Sequence, residues 1–442
     1  MASSLLNIGS SGAAAARRAL DLTAQNIANA SNPDYARRTL SMAEVASTRG
    51  IGLEPGNMLS GVRPDRVMRS DSTFLQNEAR RTGSDLSRAE AELNGLSNAE
   101  NAIEQAGVYG AIVDFEASLA RLAADPLGGA MRAAVLEDAG QLAQTFAVAT
   151  DGLDAAEQST QFSADAGVER VNLLSAELAR TNTGIARARD GSSDMAALHD
   201  RRDALLRDLT QMTGGTTSLD EVGRATVTLG GETLVTGSQV NSFVSSANAD
   251  GSLGFSVGGN GISLTSGSLL GNSQALQAIG GLRAQLDDLA AQVISIANTA
   301  QANGAAQDGS GGQPFFSGSG ASDISLALTD GAQIATAAAG SPADSRDSSN
   351  LQALRDALSN GGPAKSADSL LFGLSSAIDA RSVTRDALFT IADSAAAALQ
   401  VETGVDLDQE ATNLLRYQQA FQANGKVIQT AADIFDTILG LG

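Results

Sequence analysis

Two apolar stripes spaced 3-4-3-4 stand at opposite ends of this chain, and they differ in size so that one can nest against the other. The first reads Leu5, Ile8, Gly12, Ala15, Ala19, Leu22, Asn26 and Asn29, a seven-residue repeat of mostly small residues. The second is bulky: Leu407, Glu410, Leu414, Tyr417, Phe421, Asn424, Ile428, Ala431, Phe435 and Ile438 hold the same repeat for more than four heptads. Large knobs facing a small-residue helix allow close approach. Because the first helix leads into the body of the protein and the second leads out, a pair made of them must be antiparallel. At 1.5 Å per residue it forms a stalk of roughly 40 Å.

The competing reading is two unrelated surface helices, each burying a stripe on its own domain. Gly12, Ala15 and Ala19 argue against it, since they offer too little apolar surface to hold a helix on a core at ~25 cal/mol per Å². Isolated helices of this kind are marginal in water, so both ends are expected to become ordered as subunits pack together. Asn26, Asn29 and Asn424 fit two roles, polar pins that set register or residues facing a channel or solvent.

Aromatic residues make up 3% of the 442, tryptophan and cysteine are absent, and alanine and glycine are abundant. That composition favours helix-on-helix packing and excludes disulfides, thiolate metal sites and cysteine nucleophiles. The length suggests about two to four domains. A formal charge of −21 speaks against nucleic acid or an anionic membrane as the main partner. Residues 1–90 hold 11 Arg against 9 acidic residues, so the negative excess lies further along and the first part can pack against copies of itself. Arg17 and Arg18 follow the weakly apolar Leu5–Ala16 stretch instead of preceding it, so no cleaved secretion signal is expected. No uncharged run is long enough for membrane insertion.

The expected architecture is mainly α with a small β insert, in an elongated multi-domain chain. Residues 1–31 and 403–442 form a terminal antiparallel coiled coil for assembly. Residues 32–213, 269–303 and 364–402 form a long helical bundle trunk, with 36–70 extended and irregular. From Asp71 to about Thr213 the pattern is almost continuously helical, broken near 125–129 and 190–193. Short-stranded runs at 225–229, 233–235 and 254–257, separated by glycine turns, place the β insert at 214–268. Helix returns from Ser273 to about Asn303 and from Ser366 to Glu402. Residues 304–363 read as a Gly/Ser-rich loop and mixed connecting segment.

Catalytic chemistry finds little purchase. His199 is the single histidine, and within Leu198–Asp203 a solvated or salt-bridged role fits better than catalysis. Asp287-Asp288 point apart on a helix, and Asp406 with Asp408 are ordinary in an acidic chain. Gly258-Gly259-Asn260-Gly261 lies among strands and reads as a turn, Lys365-Ser366 lacks the glycine of a phosphate loop, and Asn29-Ala30-Ser31 sits at a helix end. The chain is read as a structural protein and not an enzyme, with no cofactor or metal.

The opening Ser4–Gly9 through Asn26-Ile27-Ala28-Asn29, followed by Pro33-Asp34-Tyr35-Ala36-Arg37, resembles the N-terminal signature of bacterial flagellar rod, hook and hook-associated axial proteins. The ending Gly404–Ala423, with its Leu414-Leu415-Arg416-Tyr417-Gln418-Gln419 run, resembles the hook-associated members at the hook-filament junction. So do the segments Gly61–Leu75, Asp125–Phe146 and Leu198–Leu206. Asp34 stands where glycine is usual, and Arg38 where glutamine is common.

The resemblance implies a structural component of the flagellum, outside the cell, forming the junction ring that connects hook to filament and adapts their different mechanics. The implied partners are copies of itself, hook protein below, the next hook-associated junction protein above, an export chaperone on the C-terminal helix, and the flagellar type III export apparatus. Neighbouring subunits would pack through Leu5, Ile8, Ala15, Ala19, Leu22, Asn26, Asn29, Leu407, Leu414, Tyr417, Phe421, Asn424, Ile428, Ala431, Phe435 and Ile438. A hook or rod subunit would share both terminal signatures, but not the Arg416–Gln419 run or the long helical stretch from Asp71 to Thr213. A coiled-coil interaction protein unrelated to flagella is the second alternative, and it requires termini that are stably helical in the isolated monomer.

Overall fold

A computed structural model describes residues 2–45, 61–360 and 362–439. Residues 46–60 of the stretch read as extended, the last three of the 403–442 segment, and the side chain of Ile438 lie outside the described residues. The architecture is mainly α with small antiparallel sheets, and long helices stand at both ends.

The first helix, α1 (Ala2–Ala28), ends where Pro33 forbids continuation. Asn32 closes a turn there, its side-chain oxygen accepting from the Asp34 amide at 3.1 Å and its carbonyl from the Tyr35 amide. The segment expected to be irregular instead contains a hairpin, β1 (Arg38–Glu44) with β2 (Val62–Arg69), in which Arg38 lies directly opposite Arg69. The long helical stretch is four helices: α2 (Thr73–Ala106), α3 (Val108–Ala124), α4 (Gly129–Arg187) and α5 (Ser193–Thr213). Ser72 caps α2 and Ser192 caps α5, each accepting from a backbone amide three residues on. The break between α2 and α3 was not visible in the helical pattern. It falls at Gly107, whose φ of 74° satisfies the helix end in a left-handed conformation costly for other residues.

The insert is richer in strands than the three runs suggested. Strands β3 (Thr216–Leu219), β4 (Ala225–Leu229), β5 (Glu232–Thr236) and β6 (Gln239–Val240) make one antiparallel sheet. Strands β7 (Phe243–Ala247), β8 (Leu253–Val257) and β9 (Asn260–Ile262) make another. Then α6 (Ser268–Ala302) returns to the trunk, starting earlier than expected because Gly267 turns the chain against the end of α5. The 304–363 segment carries two-residue strand pairs and α7 (Ser349–Ser359), before α8 (Pro363–Thr403) and α9 (Leu407–Leu439).

Two hydrophobic cores fill the trunk. One gathers α3, the first half of α4, α6 and α7 around Phe115, Phe146, Phe315 and Phe316. The other packs the second half of α4 and α5 on the insert sheets through Leu178, Leu205, Val227, Phe243 and Phe255. Arg132 anchors the first core from inside. Its fully buried guanidinium donates to the carbonyls of Pro126, Gly331 and Ile334 and to the Thr336 hydroxyl. Burial lowers the pKa of this arginine, with Asp330 opposing. No helix among the described residues is long and apolar enough to cross a membrane.

Candidate assembly interface: the terminal helix pair and its polar joint

α1 and α9 lie against each other antiparallel. Gly9 meets Ile428, Gly12 meets Asn424, and Asn26 meets Glu410, so rising numbers on one helix match falling numbers on the other. A Cβ at Gly9 would sit 2.9 Å from Ile428 Cγ1, and one at Gly12 would overlap the Asn424 side chain. These two glycines are the holes that admit α9. Ala15, Ala19, Leu22, Asn26 and Ala431 are buried, while Asn29, Leu414, Tyr417, Asn424 and Ile428 are half-buried.

The largest side chains of the stripes are not covered. Phe421 keeps 44% of its surface exposed, Phe435 and Leu407 keep 54%, and Leu5 and Ile8 are also exposed. Small residues of α1 can cover only a narrow strip of α9, so its bulky side stays open in the single chain.

At the base of the pair, polar groups replace apolar ones. Asn26 is buried with four partners: its amide donates to Arg38 O (2.8 Å) and Glu410 Oε2 (3.1 Å). Its oxygen accepts from Tyr35 Oη (2.8 Å) and the Arg38 amide (3.1 Å). Asn26 therefore faces neither channel nor solvent in the chain. The Asn29 side-chain amide donates to the Gln25 carbonyl one turn back, and that of Asn424 to Ala420 O.

Successive residues of an extended chain point to opposite sides, and Arg37 and Arg38 use that alternation to hold two helices. Arg37 Nε donates to Glu410 Oε1 of α9 at 2.8 Å, and its amide to Thr403 O at the end of α8. Arg38 reaches Asp200 of α5 at 2.6 Å. Like charges directly opposite on two strands repel. Asp200 resolves this for Arg38 and Arg69 by accepting from both, the second also at 2.6 Å. Arg69 continues to Asp203 at 2.8 Å, which also receives Arg202 at 2.8 Å and Arg80 at 3.3 Å.

Burial opposes ionisation of Asp203, but Arg202, Arg69 and Arg80 outweigh it and hold its carboxyl below the ordinary range. Burial alone would lower the pKa of Arg69, yet Asp203 and Asp200 raise it. Burial pushes the Tyr35 phenol up against the opposing Arg38, whose guanidinium carbon lies 4.7 Å from the ring centroid. His199 lies at the edge of this network. Burial first, then Arg202 and Arg69, push its pKa down against the opposing Asp203 and Asp71.

Reasoning from sequence alone missed Arg37, Arg38, Arg69, Asp200 and Asp203. A legible signal was Glu410, a charge inside an apolar stripe. Asp34 and Arg38, the two departures from the usual residues, both reach α5, the first through an ion pair with Arg207. No group of three or more His, Asp or Glu among the described residues could hold a metal ion.

The trunk of long helices thus carries its own two termini as a pair, with the bulky side of that pair left open. The sequence profile of the flagellar hook-associated protein FlgK helical domain matches residues 93–316, just over half of the chain, and the chain belongs to that family. Its role is structural, at the flagellar hook junction. A second profile, the flagellar basal body rod FlgEFG protein C-terminal segment, matches residues 402–441. Flagellar hook-associated protein 1 of Escherichia coli K12 is 25% identical, the alignment covering 99% of this chain and all of that one. The Bacillus subtilis protein of the same name is 24% identical, covering 97% and 96%. The structure of the flagellar hook junction protein FlgK from Burkholderia pseudomallei superposes with a TM-score of 0.65 at 15% identity. It covers 73% of this chain and 99% of that one, and so shares the fold.

Proposed function

We propose that the chain forms a ring between hook and filament and does no catalysis, with hook protein below and the next hook-associated junction protein above. In this reading residues 1–31 and 403–442 are the assembly domain, the helices at 32–213, 269–303 and 364–402 the trunk, 214–268 an outward insert, and 304–363 a connecting segment. The observation that carries it is the open side of α9. Phe421, Phe435 and Leu407 remain exposed on a helix that is otherwise locked to α1 and, through Glu410, to the hairpin. A helix held in register with its large side chains uncovered suits packing against the terminal helices of neighbouring subunits. The chain would leave the cell unfolded through the flagellar type III route, with a chaperone covering the C-terminal helix, and act outside it.

The test is electron microscopy of a strain lacking the gene, together with an assay for flagellin in the medium. Hooks without filaments, plus free flagellin, are expected. Loss of hooks would reassign the chain to the hook or rod, and normal flagella would overturn the reading.

A further inference from the structure

The polar joint carries more positive charge than it can pair. Arg38, Arg69, Arg80 and Arg202 bring four guanidiniums on side chains that are 10% exposed or less, against the two carboxylates Asp200 and Asp203. Asp71 is a third, but at 3.7 Å from Arg69 and 42% exposed it remains largely solvated. Donors are in surplus as well, since Arg38 Nε and Arg69 Nη1 are buried and make no hydrogen bond.

Into this surplus α5 places His199, the one histidine of the chain, half-buried and with its Nε2 buried and unpartnered. The imidazole and the Arg202 guanidinium crowd the same side of Gly223, in the turn between β3 and β4. A Cβ there would lie 2.8 Å from His199 Nε2 and 3.2 Å from Arg202 Nη1, which itself donates to the Gly223 carbonyl at 2.6 Å. The charges that act on the imidazole are Arg202 and Asp203 of its own helix, Arg69 of β2 and Asp71 just beyond it. Charged groups on the other packed elements are already engaged. Arg80 of α2 holds Asp203, Glu177 of α4 holds Arg201, and Arg224 of the β3–β4 turn holds Asp220 at 2.6 Å.

A neutral imidazole keeps one nitrogen that accepts, whereas a protonated one has only donors. Among unpartnered donors and unpaired positive charge, the neutral form fits and the cation does not. We infer that His199 is a proton-operated release for the joint: in mild acid it becomes a fifth cation and loosens the hold of α5 on the β1–β2 hairpin and on the Gly223 turn. The hairpin holds the terminal pair through Arg37 to Glu410 and through Arg38 O to Asn26, so the release frees α1 and α9 from the trunk. The inference concerns the single chain and stands apart from the junction reading.

Burial, Arg202 and Arg69 place the folded pKa of His199 below its unfolded value of about 6.5. The stabilisation is therefore complete above that value and is lost as pH falls through it toward the folded pKa. Each unit between the two is about a tenfold change in the opening constant.

A single histidine gives an unambiguous imidazole resonance, so NMR of the full chain reads its titration midpoint in the folded state and in urea. Hydrogen exchange on the same protein between about pH 7 and pH 5, corrected for the intrinsic pH dependence of exchange, reads opening at the Val67 and Arg38 amides. A folded midpoint below the urea midpoint is expected. Opening at both amides should rise by the factor those midpoints dictate, with the Ile334 amide of the first core unaffected and the rise absent from His199→Gln. Glu116, which burial also shifts, is common to both proteins and drops out of their difference. A folded midpoint at or above the one in urea would overturn the inference, and so would an acid-induced opening that His199→Gln retains. Should His199→Gln fail to fold, the wild-type protein still decides, since opening that does not follow the histidine titration rules the release out. None of these outcomes bears on the junction reading, which the deletion strain tests.

Discussion

Replacing Asp200 by alanine is the most direct probe of the polar joint. Arg38 is 8% exposed, and among the described residues Asp200 is the one carboxylate in ion-pair contact with it. The substitution leaves that guanidinium buried without a counter-charge and opposite Arg69, whereas Arg69 itself retains Asp203 at 2.8 Å. Breaking a buried pair from one side costs about 3–5 kcal/mol, because the desolvated charge stays behind. At 1.4 kcal/mol per tenfold, local opening of the hairpin becomes roughly 10²- to 4 × 10³-fold more frequent. Hydrogen exchange reads this at the Val67 amide, which donates to Gly191 O at 2.8 Å, and at the Arg38 amide, which donates to Asn26. Protection at both sites should fall together. In a double-mutant cycle with Arg38→Ala, the coupling should exceed about 1 kcal/mol. A loss of protection below tenfold, or strictly additive single effects, would refute the claim that Asp200 holds the two strands against α5.

Other outcomes follow from the same geometry. Phe421→Ala should barely change the melting of the monomer, where the ring is 44% exposed, yet cost about 3 kcal/mol or more wherever assembly buries it fully. Filaments shed from otherwise normal hooks would be the readout. Gly12→Leu forces a side chain into Asn424 and should separate α1 from α9, exposing α1 amides to rapid exchange. Arg132→Met strands three carbonyls in the first core and should lower stability by about 3 kcal/mol, measured as a shift in urea midpoint. The folded pKa of Asp203 lies below its unfolded value. Its stabilisation is therefore present above about pH 4 and is lost as pH falls through the folded value. A plot of urea midpoint against pH should drop in that acid window, and Asp203→Asn should flatten the drop.

Local rules carried much of the fold. The heptad spacing of the two ends, the turn at Pro33 and the short strand runs of the insert each act through neighbours a few residues away, and all are legible without coordinates. The break at Gly107 was not, because one glycine within a helical pattern is compatible with continuation until packing requires a bend. Size also misled in one respect. The bulky residues of the second stripe looked alike as knobs for the first, yet of them it is Ile428 that nests, opposite Gly9, while Phe421, Phe435 and Leu407 stay exposed. Which strip of α9 is covered depends on where the hairpin and α8 anchor it.

The sequence by itself determined that both termini are heptad helices of unequal bulk, that the trunk is helical, and that a glycine-rich β segment interrupts it. Only the tertiary structure decided what joins them. Glu410 meets Arg37 across 373 residues, and Asp200 meets Arg38 across 162. A charge in a sequence shows no preference among distant partners, since its energy depends on distance and burial, both of which exist only once the chain has folded. The apolar repeats state that the ends pair. The buried arginines and carboxylates hold that pair against the trunk.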